Sequence, residues 1–133
     1  MPATSSSAET TDAKLSSRGI SNPEIKAMRA EARFLRALSY WHALDMFGAV
    51  PFVTDTDAIG SILPRQASRI ELFNFVESEL KAIETDLLAP RTNEYGRADK
   101  AAAWTLLAKL YLNAQVYTGQ PKFTECIEQC KKY

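Results

Sequence analysis

Apolar residues recur with a helical period from Ala30 to Gly48, and they fall into two stripes rather than one. At 100° per residue, Ala30, Phe34, Ala37, Trp41 and Leu44 share one side, with Met28, Ala32, Leu35, Ser39, Ala43 and Met46 roughly opposite. A basic wedge (Arg29, Arg33, Arg36) and a mixed wedge (Glu31, Leu38, His42, Asp45) separate them. A surface helix needs one apolar stripe; two predict a helix packed between neighbours, as in stacked helical repeats. Asn22 and Pro23 suit the start of this helix. Gly48 suits its left-handed end, and Pro51 prevents resumption.

The same reading predicts three further helices. Gly48 to Ala67 is too long for an ordinary helix–helix connection, which predicts a packed, partly extended loop anchored by Phe52, Val53, Ile62 and Leu63. Ser68 and Glu71 form a capping box ahead of a stripe at Phe73, Val76, Leu80, Ile83 and Leu87, stopped by Pro90. After turn residues Thr92 to Gly96, a third helix is expected from Asp99 to Tyr117, burying Trp104, Leu107, Ala108, Tyr111 and Ala114. A last helix carries Phe123, Ile127 and Cys130 on one side. The first and third helices echo each other at an offset of 71 residues: Ala37 with Ala108, Tyr40 with Tyr111, Ala43 with Ala114, Gly48 with Gly119. That is about two units of the ~34-residue tetratricopeptide (TPR) period. Trp104-x-x-Leu107-Ala108-x-x-Tyr111 follows the first-helix pattern of the same repeat. The predicted fold is all-α, a TPR-like antiparallel helical repeat of about four helices with one long loop, over residues 22–133. Residues 1–21 are Ser/Thr/Ala-rich and are expected to form a disordered polar tail.

Composition narrows the chemistry. Sixteen basic residues balance sixteen acidic ones, so no net field recruits nucleic acid. No apolar run is long enough to span a bilayer, and no secretory signal is visible. Cys126 and Cys130 stand one helical turn apart and read as two small interface residues, both reduced. No metal site, cofactor site or catalytic residue is expected, because the sequence holds no nucleophile–base pair, phosphate loop or ligand cluster. His42 near Glu31 and Asp45 reads as a structural hydrogen bond. Arg29, Arg33 and Arg36 read as a solvated face or as ion-pair donors to a neighbouring helix, and Lys81/Glu84 and Lys100/Trp104 as ordinary surface and groove positions. Trp41, Trp104, Tyr40 and Tyr111 sit at core spacing, leaving Tyr95, Tyr117 and Phe52 as exposed aromatic candidates.

The run Glu31-Ala32-Arg33-Phe34-Leu35-Arg36-Ala37-Leu38, then Tyr40, then Phe47-Gly48-Ala49-Val50-Pro51-Phe52-Val53, resembles the SusD/RagB family. So do Gly96-Arg97-x-x-Lys100-x-Ala102-Ala103 and Leu106-Leu107-Ala108-x-x-Tyr111-Leu112, in the same order and spacing. Ala30 departs from the family's usual glycine. The resemblance implies a nutrient-binding outer-membrane lipoprotein, not an enzyme, that captures oligosaccharide and works with a SusC-like TonB-dependent transporter in polysaccharide uptake. It also implies a much longer protein with a lipid-bearing cysteine, of which this chain is an interior TPR-like piece. The family's ligand contacts vary and come largely from other regions, so no ligand-binding residue is carried over. From the residues alone, a cytosolic TPR-like adaptor binding a peptide or partner helix stays open.

Overall fold

The computed structural model describes residues 14, 17–19, 23–54, 57 and 63–132. Within residues 1–21, Lys14 O accepts from Arg18 N–H at 3.3 Å. The remainder of the expected tail, the Asn22 cap and the Ile62 anchor lie outside the described residues. The elements in chain order are α1 (Pro23–Phe47), β1 (Val50–Pro51), β2 (Gln66–Ala67), α2 (Arg69–Ile83), α3 (Lys100–Leu112), α4 (Ala114–Thr118) and α5 (Phe123–Lys131).

Helix α1 starts and ends as its sequence requires. Pro23 occupies its first turn, where the missing N–H is no loss. Gly48 takes φ +77° and donates to Leu44 O at 3.0 Å. The long connection folds back on itself as a short antiparallel ladder, Val50 opposite Ala67 and Pro51 opposite Gln66. Tyr40 clamps it: the hydroxyl donates to Val53 O at 2.8 Å and accepts from Val53 N–H at 2.9 Å. Tyr40, Phe52 and Phe75 form a ring cluster with centroids 4.8–5.5 Å apart. Phe52 and Val53 are therefore anchors, as expected, whereas Leu63 is 92% exposed and anchors nothing.

The capping box of α2 is formed in both directions, Glu71 N–H to Ser68 Oγ and Ser68 N–H to Glu71 Oε2. Its stripe of Phe73, Val76, Leu80 and Ile83 is fully buried, and Leu87 nearly so. The helix closes at Ile83, well before Pro90, through turn bonds from Asp86 and Leu87 N–H to Ile83 O. The single long third helix is corrected to two: Asn113, at φ −100° and ψ 9°, breaks it into α3 and α4. Ala103, Leu106, Leu107, Leu110, Tyr111, Ala114 and Tyr117 line its buried side, while Trp104 is only half-buried.

Two faces differ from expectation. On α1, the Ala30/Phe34/Ala37/Leu44 side is buried against α2 and α3, but Met28, Leu35 and Met46 are 53%, 54% and 70% exposed. Among the described residues nothing covers that second stripe. On α5, Phe123 and Ile127 point outward, with Cys130 also exposed. Cys126 faces α3 instead, donating to Ala108 O at 3.3 Å, and Lys122 reaches across to Glu77. Small thiol against small alanine lets these helices approach closely; a phenylalanine there would hold them apart.

Candidate functional site

The motif residues of α1 are joints between helices. Glu31 accepts from Arg97 Nε and Nη2, both at 3.0 Å, and from Asn93 Nδ2 at 2.9 Å, tying α1 to the turn before α3. Arg33 and Arg36 both reach Glu79 on α2: Arg33 Nη2 to Oε1 at 2.7 Å, Arg36 Nη2 to Oε2 at 2.6 Å. The ion pairs to a neighbouring helix expected of this wedge are thus present, and Arg36 is 3% exposed. Burial pushes the Glu79 carboxyl up, but hydrogen bonds and charge from the two guanidiniums outweigh it and hold it below the usual glutamate range.

The other joints follow the same design. Glu77 accepts from Tyr111 Oη at 2.8 Å, Lys81 at 2.9 Å and Lys122 at 3.2 Å. Glu84 accepts from Trp104 Nε1 at 2.7 Å and Lys132 at 3.0 Å. Burial raises both carboxyls and these donors lower them, with a net depression in each. Tyr111 is pushed up to about 12 by burial and then by Glu77. Tyr117 is also raised, by burial and by donating to Asp45 Oδ1 at 2.6 Å. Tyr117 is therefore a buried joint, not an exposed aromatic platform; Tyr95 is fully exposed and Phe52 belongs to the ring cluster. Glu31 and Asp45 are engaged by Arg97 and Tyr117, and His42 lies against the Trp41 ring at 4.7 Å. The expected His42–carboxylate contact is replaced by this ring contact.

A concavity among the described residues is a candidate binding site. It lies between α1 and α3 and encloses about 680 Å³. Phe34, Leu38 and Trp41 form its α1 wall; Ala102, Thr105, Leu106 and Lys109 form its α3 wall; Pro90, Arg91 and Asp99 close one end. Lys109 Nζ sits 5.6 Å from the Trp41 ring centroid. Asp99 caps α3, accepting from Ala102 N–H at 3.0 Å with Oδ1 and from Arg91 N–H at 3.1 Å with Oδ2. The second bond holds Arg91 at its left-handed φ of +63°. Thr105 donates to Ala101 O at 2.8 Å within its own helix. Both Asp99 oxygens and the Thr105 proton make these local bonds, and the groove presents an apolar wall with Arg91, Lys109 and His42 among its polar lining. The sequence places Trp41 on a core stripe; only the docking of α3 reveals it as a groove wall, because Lys109 and Asp99 lie far away along the chain. Among the described residues no cluster of three metal-ligating side chains occurs, and no helix is long and apolar enough to cross a membrane.

No protein-family model matches the chain. It is 46% identical over 114 residues to the starch-binding protein SusD of Bacteroides thetaiotaomicron, a match covering 86% of this chain and 20% of that protein. It is 33% identical over 105 residues to the SusD-like protein P25 of Formosa agariphila, covering 75% of this chain and 20% of that one. A SusD-like protein from Bacteroides fragilis superposes with a TM-score of 0.69 at 24% identity, over 85% of this chain and 21% of its own. A laminarin-binding SusD-like protein superposes with a TM-score of 0.64 at 28% identity, over 78% of this chain and 23% of its own. The chain spans about a fifth of the length of the curated relatives it matches.

Proposed function

Over the stretch shared with these relatives the chain belongs to the SusD/RagB family, and from that premise we propose that the protein carrying it captures a glycan at the cell surface without cleaving it. In this reading the protein is an outer-membrane lipoprotein that delivers oligosaccharide to a SusC-like TonB-dependent transporter. The helical segment is its scaffold. Its signature residues serve the joints: Glu31 meets Arg97, Arg33 and Arg36 meet Glu79, and Tyr40 holds the long loop.

The observation that carries the reading is the 46% identity to a starch-binding protein across 86% of this chain. A laminarin-binding SusD-like protein of the same fold supports a glycan ligand as well. That identity favours this reading over the peptide-binding adaptor. Affinity electrophoresis of the full-length protein in gels containing starch or laminarin tests it. Retardation by at least one polysaccharide, with no shortened sugars released, is the expected result; unretarded migration through a broad glycan panel overturns the reading.

A further inference from the structure

The groove between α1 and α3 runs between two cations. Arg97, just before α3, meets Glu31 near the start of α1, and Lys109 lies over Trp41 further along it, so the two helices run parallel there. Arg91 and Asp99 therefore stand at one end and Lys109 towards the other, separated by about 15 Å of rise along α3. Phe34, Leu38 and Leu106 supply apolar surface between them. These cations differ from those of the joints, where Arg33, Arg36, Arg97, Lys81 and Lys122 each meet a carboxylate. Among the described residues, the Arg91 guanidinium has no ion pair or side-chain hydrogen bond, and the Lys109 ammonium meets only the Trp41 ring. The groove's own carboxylate, Asp99, already accepts two backbone N–H groups. Arg91 also holds φ +63°, which asparagine or glycine adopts more readily, so the turn alone does not select an arginine.

We propose that this groove binds a stretch of acidic polysaccharide, a chain of sugar rings carrying carboxylate or sulfate groups. The inference rests on the glycan-binding reading and adds to it the class of glycan. A pyranose ring has a face of C–H groups, which suits the wall of Phe34, Leu38 and Trp41. Its hydroxyl edge suits the His42 imidazole and Thr105 Oγ, which keeps its lone pairs after donating to Ala101 O. The acidic groups recur along such a chain, so two of them can meet Arg91 and Lys109 at once. The Arg91 guanidinium takes a carboxylate or sulfate through paired N–H donors, and Lys109 takes one as a point charge. A fatty acid or a single phosphate would engage one end only. An acidic peptide brings the same charges without the ring faces.

Affinity electrophoresis of the full-length protein in gels containing polygalacturonate, carrageenan or starch tests this. Retardation by polygalacturonate or carrageenan, the carboxylated and sulfated arms, is the expected result. The double variant Arg91→Asn/Lys109→Gln should weaken it roughly three- to tenfold, the effect of losing two exposed ion pairs. Both exchanges spare the fold, since asparagine accepts the backbone of Arg91 and Lys109 is exposed on α3, so the variant should melt with the wild type. Unretarded migration of the wild type in both acidic gels overturns the proposal. So does retardation that the double variant keeps in full, or that poly-glutamate competes away as well as oligogalacturonate does. Starch scores the glycan-binding reading separately: a protein retarded by starch alone keeps that reading and loses this inference.

Discussion

Glu79 joins two arginines that stand three residues apart on α1 and removes one of them, Arg36, almost wholly from water. A guanidinium in that position without its carboxylate is costly, so Glu79→Gln should lower stability by about 3–5 kcal/mol at neutral pH. The pH dependence has a definite sign. The folded-state carboxyl titrates below its ordinary value of 4.5, so its contribution is present above pH 4.5 and is lost as pH falls through the depressed folded value. Urea melts from pH 7 down to pH 3 should show the gap between wild type and variant closing with acid. A gap that stays constant removes Glu79 from the account. At this scale the sequence was half legible. Ion pairing by Arg33 and Arg36 was one of two readings of their wedge, the other being a solvated face, and their partner lies 43 or more residues away, beyond any local period. The Glu31–Arg97 pair was invisible for the same reason, although both residues sit inside recognisable motifs.

At the scale of elements, Ser68 stands out because it opens a helix whose apolar face is wholly buried. Its hydroxyl satisfies one first-turn N–H, and Glu71 returns the bond while also receiving Arg65 at 2.9 Å. Ser68→Ala should therefore cost about 0.5–2 kcal/mol, read as a lower denaturant midpoint with an unchanged slope. A neutral result would mean that tertiary packing alone fixes the start of α2. Such caps were readable because their chemistry is local. The same held for Gly48, whose φ of +77° is the geometry glycine accepts at a helix end. The break at Asn113 was not readable, since the apolar period runs straight through it into Ala114 and Tyr117. The orientation of α5 was misread for another reason. Periodicity finds a stripe at Phe123 and Ile127, but cannot tell which side of a short helix meets its neighbour. Cys126 and Lys122 decide that through Ala108 and Glu77.

For the molecule as a whole, the repeat echo foretold the architecture because each helix pair restates one packing solution. It did not foretell the groove beside Trp41, which exists only once α3 has docked. Among the described residues, Met28, Leu35 and Met46 stand exposed on α1, with Phe123 and Ile127 exposed on α5. Apolar faces of this kind favour association, so the isolated chain should sediment with a concentration-dependent coefficient. Leu35→Asp should shift that chain towards monomer. A concentration-independent monomer would mean that these residues are too scattered to act as a patch.

The joints have a geometric consequence. Glu77, Glu79 and Glu84 each join two or more helices and Glu31 joins α1 to the turn before α3; all four are glutamates where an aspartate would offer the same charge. Their length is thus a gauge: the two methylenes of each side chain fix how far one layer stands from the next and how much it turns. Summed along an array, such spacers set the pitch of the superhelix.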